Sequence, residues 1–356
     1  MNLILIVAQL KALATIRLYV DAFAAIVSVL NFTQLKSIDL CLFLFSLSLI
    51  SSQILIGLHL SINIYRTIIL CCMLVLAALV IKLRFSYSIP KLISYSIIIN
   101  TIFVLLELVL IQYVDIHIDY SKYFGIRIPR LTGTIGEPNY FGYFCLLLFV
   151  LLERKCSISG VILLGMIFIS GSRGAMLSII LWPLLATLSI LPLRAFILNM
   201  ICLLMPLSPL MIYGLLQSLE HEVLVILNAL SSTRLEIWEQ LLEAVYAYPF
   251  GVGYFQSTKF VGAYETMFAL RAAHMQPHNT WFQILAEFGT VSYLISIALY
   301  MTISFKLTCQ RKLFFIVAVL PLQFLHITGS FLMVVLFLVL KVLVDREKLA
   351  RNGNLN

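Results

Sequence analysis

Apolar residues run along this chain in unbroken stretches, at about 38–57, 62–81, 92–113, 139–152, 158–171, 175–192, 195–213, 281–305, 313–328 and 330–344. Many approach or exceed the ~18 residues needed to cross a bilayer, and in lipid only helices and closed barrels satisfy every backbone polar group. The runs are continuous rather than alternating, so helices are meant. A further stretch, 1–31, holds Lys11, Arg17 and Asp21 in an apolar background. It reads as one long span, two short ones or a partly interfacial helix. The pattern predicts an all-α, polytopic transmembrane helical bundle of about 10–12 spans, with eleven as the central value.

The basic residues fix an orientation. They collect at Lys36; at Lys82, Arg84 and Lys91; at Arg154 and Lys155; at Arg194; at Lys306, Arg311 and Lys312; and at Lys341, Arg346, Lys348 and Arg351. These turns alternate with the others, so the positive-inside rule puts them on the cytoplasmic side. The opposite side then carries residues 114–138, the turn at Ser170–Gly174 and one large loop over about 214–280. Between Tyr213 and Thr280 that loop has six acidic residues against three basic ones, so it can be translocated without breaking the rule. No repeat or linker divides the chain, and residues 1–356 are expected to form a single integral membrane domain with the loop as a functional insertion.

Composition agrees. Hydrophobic residues make up 62% of the chain and charged ones only 11%, against roughly 25% charged in soluble domains. The formal net charge of +8 is explained by the clustered turns and not by nucleic-acid binding. The seven cysteines fall in spans or beside basic turns and none in the long loop, which argues against disulfides and against a CxxC metal site. The N-terminus lacks a small-residue cleavage site and reads as mature, membrane-associated chain.

Within the loop, residues 233–247 predict an amphipathic helix. Thr233 and Glu236 form a capping box, Leu235, Trp238, Leu242 and Val245 recur at helical spacing, and Pro249, Gly251 and Gly253 end it. Its apolar stripe is expected on the membrane surface or on the tops of the spans.

Four short constellations on the non-cytoplasmic side carry candidate chemistry. Gly133-Thr134-Ile135-Gly136-Glu137-Pro138-Asn139 leaves a carboxylate and an amide at the start of a span; it is either a capped turn or part of a site. Ser170-Gly171-Ser172-Arg173-Gly174 places a guanidinium among glycines and serines between two spans. That suits an anion such as phosphate better than simple snorkelling does. Ser231-Ser232-Thr233-Arg234 sets a cation in the first turn of the amphipathic helix, where the dipole opposes it unless an anion compensates; pairing with Glu236 or Glu239 is the alternative. His274-Met275-Gln276-Pro277-His278-Asn279-Thr280-Trp281 brings an imidazole to the bilayer edge, as a general base or as part of an aromatic belt. Pro277 breaks the helix that a His274–His278 metal pair would need, and no third ligand is evident, so no metal is expected.

In order and spacing these constellations resemble the bacterial O-antigen polymerase and O-antigen ligase superfamily. The matching residues are Gly136-Glu137-Pro138-Asn139, Ser172-Arg173-Gly174-Ala175, Arg234 to Trp238 leading to Pro249-Phe250-Gly251-Val252-Gly253, and His278-Asn279 with Glu287-Phe288-Gly289. The likeness covers about residues 130–300. It implies an inverting, metal-independent glycosyltransferase without cofactor in the bacterial inner membrane, its active site facing the periplasm. It implies an undecaprenyl-diphosphate-linked oligosaccharide as donor and acceptor, membrane lipid around it, and room for a chain-length regulator protein as partner. By the same likeness Arg173 and Arg234 match the family arginines that bind the donor diphosphate; Ser172, Asn139 and Asn279 are further candidates for binding diphosphate or substrate. His278 would be the functional base, and Glu137 the second candidate.

Polymerase is the leading expectation, since the acid-Pro-Asn turn is present and a His-x-His-Asn arrangement before Trp281 is not. Ligase, with lipid A–core as acceptor, is the close rival, and the longer oligosaccharyltransferases of the superfamily fit less well. A transporter or flippase of the same lipid-linked sugar would call for repeats and midplane polar groups; here the intramembrane acids, Asp21 and Glu107 among them, are few.

Overall fold

The computed structural model describes residues 89–113, 120–123, 126–152, 155, 157–188, 193–218, 234–254, 256, 278–323, 325 and 331–351. The predicted spans at 38–57 and 62–81, the stretch 1–31, the capping residue Thr233 and His274 lie outside the described residues. Helices carry the fold: α1 (Ile89–Tyr113), α2 (Pro138–Leu151), α3 (Ile158–Ser170), α4 (Arg173–Leu188), α5 (Arg194–Leu204), α6 (Ser208–Ser218), α7 (Arg234–Ala247), α8 (Thr280–Phe305), α9 (Cys309–Val319) with a 3-10 turn at Leu320–Gln323, and α10 (Phe331–Arg351). A two-stranded antiparallel hairpin, β1 (Tyr120–Tyr123) and β2 (Ile126–Pro129), precedes α2, an addition to the expected all-helical architecture.

Among the described residues two segments are long and apolar enough to cross a membrane, Ile93–Ile111 in α1 and Thr280–Phe305 in α8. The apolar helices between them are shorter. The 14 residues of α2 reach only about 21 Å at ~1.5 Å per residue, less than the ~30 Å of a hydrocarbon core. Burial separates their roles. Every residue of α2 from Phe141 to Leu151 is buried, so α2 is the axis of the bundle. On α1, by contrast, Ile98, Ile99, Ile102, Leu105, Leu106 and Val109 are exposed, an apolar face that suits lipid and not water.

The predicted span at 195–213 is two helices. Pro206 cannot donate into a helical ladder, and the chain turns through Met205–Leu207, where the Ser208 amide donates to the Met205 carbonyl at 3.3 Å. The Pro206 carbonyl is taken by the Tyr293 hydroxyl at 2.5 Å, tying this break to α8.

A second break lies inside α8. Gly289 has φ 82° and ψ 175°, a conformation essentially restricted to glycine, and it interrupts the i to i−4 ladder. The Pro249–Gly253 segment after α7 fills the gap with its own backbone. Val252 donates to Ala286 O (2.9 Å), Gly253 donates to Glu287 O (3.1 Å), and Thr290 donates to Pro249 O (2.9 Å). Three backbone groups beside the break thus have partners from the loop, as burial in an apolar interior demands. The approach is close: a Cβ on Gly251 would lie 2.6 Å from Glu287 O, and one on Gly289 would lie 2.3 Å from the Phe250 carbonyl carbon. Above this junction Trp238 of α7 stacks on Phe282 of α8, with centroids 5.1 Å apart and planes at 11°. The amphipathic stripe is therefore spent on α8.

The basic turns meet at the other end of the helices. Lys155, between α2 and α3, donates to the carbonyls of Phe149 (2.5 Å), Val150 (2.7 Å) and Leu152, closing the C-terminus of α2. Nearby, the buried Glu347 accepts from Thr308 N (3.1 Å), Thr308 Oγ1 (2.9 Å) and Arg311 Nη1 (3.0 Å). Arg346 reaches Leu151 O at 3.4 and 3.5 Å.

Gly289→Ala and Gly251→Ala should each destabilise the protein by at least about 1–3 kcal/mol, because both glycines combine positive φ with backbone contact. Gly165→Ala, whose added methyl meets nothing within 4 Å, is the matched neutral control. Thermal unfolding in detergent measures all three; equal melting temperatures would refute the account of the junction.

Candidate functional site

The site is assembled from the starts of helices, and its first wall is the turn before α2. This turn is held from three sides. Glu107 on α1 accepts from Thr132 N (2.9 Å), Gly133 N (3.0 Å) and the Thr132 hydroxyl, and Asn100 accepts from Thr134 N (3.3 Å) and Thr134 Oγ1 (2.9 Å). On the α3 side, Leu131 donates to Ile169 O at 3.4 Å and Arg130 Nε to Ser170 O at 3.3 Å. Glu107 is thus an anchor for loop backbone, a different employment from that of a transporter's midplane acid. Gly133, at φ 52°, lies flat on Phe141, where a Cβ would come within 2.5 Å of the ring.

Glu137 then caps α2. One carboxylate oxygen accepts from Tyr140 N at 2.7 Å and the other from Asn139 Nδ2 at 2.9 Å, with Pro138 at the first helical position. Asn139 in turn accepts from Arg130 Nη2 at 2.8 Å. The second wall is the Ser170–Arg173 turn. Gly171 closes α3 in the left-handed region (φ 65°), Ser172 N donates to Ser170 Oγ at 3.2 Å, and Ser172 Oγ donates to Asn139 O at 3.2 Å. Gly142 of α2 faces this turn with no side chain, and a Cβ there would sit 2.3 Å from Ser170 Oγ and 2.4 Å from Ser172 Cβ.

Arg173 is the first residue of α4 and is exposed, whereas Arg234 is the first residue of α7 and is half-buried. Each helix start already carries about half a positive charge, so a guanidinium there is disfavoured until an anion arrives. Burial, and after it the neighbouring Arg173, push the Arg234 pKa below its ordinary value. Among the described residues no ion pair joins Arg234 to Glu239, which points to solvent.

His278 completes the group. Its backbone adopts φ 45°, the one positive φ outside glycine among the described residues, a conformation costing about 1–3 kcal/mol. Its neighbours hold it there. Asn279 caps α8, its Oδ1 accepting from Trp281 N (2.9 Å) and Phe282 N (3.2 Å) while its Nδ2 donates to Gln323 Oε1 (3.2 Å); Thr280 Oγ1 donates to Leu325 O at 2.6 Å. Burial, and secondarily the charge of Arg234, lower the imidazole pKa to about 4. His278 is therefore neutral at pH 7 and able to accept a proton.

The structure accordingly links Arg173, Arg234 and His278 electrostatically, and Glu137, Asn139 and Ser172 by hydrogen bonds, with the two groups joined through the Ser172–Arg173 peptide. The side chain of Asn279 is engaged as a cap and by Gln323, and those of Glu137 and Asn139 are engaged with each other. Two residues escaped the sequence reading. Arg130 belongs to no motif, and its signal was a guanidinium beside a span on the side where the positive-inside rule expects few. Gln323, which also accepts from Ser208 Oγ (2.7 Å) and donates to Met205 O (2.7 Å), left no signal in sequence.

Imidazole NMR of 15N-histidine-labelled protein in detergent should show His278 neutral at pH 7 and titrating near 4. Inorganic pyrophosphate should raise that value by offsetting Arg234. Arg234→Gln should raise it too, though not to 6.5, because burial is the larger cause. A His278 titration near 6.5 in the wild type would contradict the buried, arginine-faced position.

No curated protein and no solved structure gives a significant match to this chain. Residues 158–297 match the model of a family described as O-antigen ligase. That segment carries Arg173, Arg234 and His278 together, and it lies within the stretch of about residues 130–300 whose motifs resemble the O-antigen ligase and polymerase superfamily.

Proposed function

We propose that this protein is an integral membrane glycosyltransferase of the bacterial inner membrane that extends a surface polysaccharide, an O-antigen or a relative of it, at the periplasmic face. The observation that carries the reading is a series of neighbours inside the family-matched segment, in which Arg173 acts on Arg234 and Arg234 on a neutral His278. A group that leaves as a diphosphate needs fixed positive charge where its own charge develops, and Arg173 and Arg234 supply it. The acceptor hydroxyl must lose a proton, and His278 is in the protonation state to take it.

In this reading a lipid-linked glycan is the donor and the next lipid-linked repeat unit the acceptor. The acceptor oxygen forms a bond to the anomeric carbon as the bond from that carbon to the diphosphate breaks. The proton passes to His278, and the polyprenyl diphosphate departs with its electron pair against the arginines. A single displacement inverts the anomeric centre. The reading invokes neither a nucleotide sugar nor a metal, and Glu137 is the base in reserve.

The acid-Pro-Asn turn and the absence of a second histidine two residues before His278 favour polymerase. The description of the matched family favours the second reading, ligase, in which lipid A–core is the acceptor. Both use the same donor chemistry, so the acceptor alone separates them.

Arg173→Ala and Arg234→Ala should each reduce glycan extension at least about 100-fold without loss of protein from the membrane, as removal of single oxyanion-stabilising donors does elsewhere. His278→Ala should lose activity as well; wild-type rate there would move the base to Glu137 or solvent. In a deletion strain the lipopolysaccharide banding pattern separates the readings. A core bearing one repeat unit means polymerase, and bare core with accumulated lipid-linked polymer means ligase. Flipping of lipid-linked sugar with Arg173, Arg234 and His278 all replaced by alanine would overturn both.

A further inference from the structure

We infer that Arg130 is a positioning residue for the proposed transfer, setting through Asn139 the orientation of Glu137 and, through the Ser170 carbonyl, that of the turn carrying Arg173. The inference rests on the proposed function. Arg130 is half-buried, at the end of the bundle away from Lys155, Arg311 and Arg346, and no motif includes it.

Donor and acceptor chemistry dictates the arrangement. A guanidinium can only donate hydrogen bonds and an ionised carboxylate can only accept them. The Asn139 amide between them has one acceptor and one donor end, so only one of its two flips satisfies both neighbours. Arg130 Nη2 donates to Asn139 Oδ1 at 2.8 Å, which turns Asn139 Nδ2 toward Glu137 Oε1 at 2.9 Å. The remaining Glu137 oxygen is fixed by Tyr140 N at 2.7 Å. The same guanidinium donates through Nε to Ser170 O at 3.3 Å, and the Ser172 hydroxyl returns to Asn139 O at 3.2 Å. Arg130 therefore touches both walls of the site at once, one through a side chain and one through a carbonyl. Neither Glu137 nor the Arg173 turn can rotate while its fork is in place.

Methionine at 130 keeps much of the volume and removes every donor. Aspartate at 139 keeps the acceptor for Arg130 but replaces the donor to Glu137 with a second carboxylate. The rate of glycan extension is read per folded molecule, in membrane vesicles supplied with lipid-linked oligosaccharide extracted from the host, with folded protein counted by size-exclusion chromatography. Arg130→Met and Asn139→Asp should each lower kcat by about 10- to 100-fold with apparent KM changed by less than about 3-fold, the pattern of displaced rather than absent machinery. Arg130→Lys, which keeps the charge and a donor group but not the planar fork, should recover part of the loss.

The double variant should be no slower than the worse single one, because both changes break one linkage. Wild-type kcat per folded molecule in Arg130→Met, or losses that multiply in the double variant, would overturn the inference. Should Arg130→Met fail to fold, the same cycle with Arg130→Lys and Asn139→Asp decides in the same way. Activity surviving in Arg173→Ala and Arg234→Ala would instead remove the functional reading itself; loss there beside an unaffected Arg130→Met removes only the role of Arg130.

Discussion

The constraint on which the rest depends is that a broken helix in an apolar interior must find partners for its freed backbone groups. α8 breaks at Gly289, and the segment that follows α7 supplies Val252 N, Gly253 N and Pro249 O to the gap. This junction fixes the C-terminal end of α7 against α8, and the Trp238–Phe282 stack fixes its body. With α7 so held, Arg234 at its start has a defined place relative to His278 at the start of α8. The described part of the loop, α7 and the segment after it, is thereby packed on α8 as a wall.

Electrostatics in the site follows from the same convergence of helix starts. α2, α4, α7 and α8 begin at Pro138, Arg173, Arg234 and Thr280, so their positive dipole ends are gathered on one side of the molecule. Two of these ends are crowned by neutral or anionic caps, Asn279 and Glu137, which satisfy the local amides. The other two begin with guanidiniums, which cannot satisfy amides and add charge of the same sign. That is an unfavourable arrangement for an empty protein. After burial, the charge of Arg234 is the second cause that keeps His278 neutral.

Much of this was legible from residue order. The continuous apolar runs gave α1 to α4 and α8 nearly to their ends, and helical spacing gave α7 at Arg234–Ala247 against a predicted 233–247. The glycine and serine residues around Arg173 marked a turn where backbone and guanidinium come together. What was hidden is long-range. The break at Gly289 lies in a run that reads as uninterrupted, because its compensating partners are about 40 residues earlier. Pro206 split a predicted span, and the hairpin at residues 120–129 was too short to show a period. Asn139 and Asn279 looked like ligands for a substrate, and local sequence could not show that their amides are occupied by Arg130, Glu137, Gln323 and two helix-start N–H groups.

The bare Cα of Gly142 sets a clearance. α2 and the Ser170–Ser172 turn approach until no methyl group fits between them, so the separation of the Asn139 backbone from the peptide leading into Arg173 is gauged by the thickness of a missing side chain. Position 142 is therefore a one-way dimension: any other residue there can only push the two walls apart, and nothing smaller exists to bring them closer. The spacing between the first turn of α2 and the peptide leading into Arg173 already stands at its lower mechanical limit.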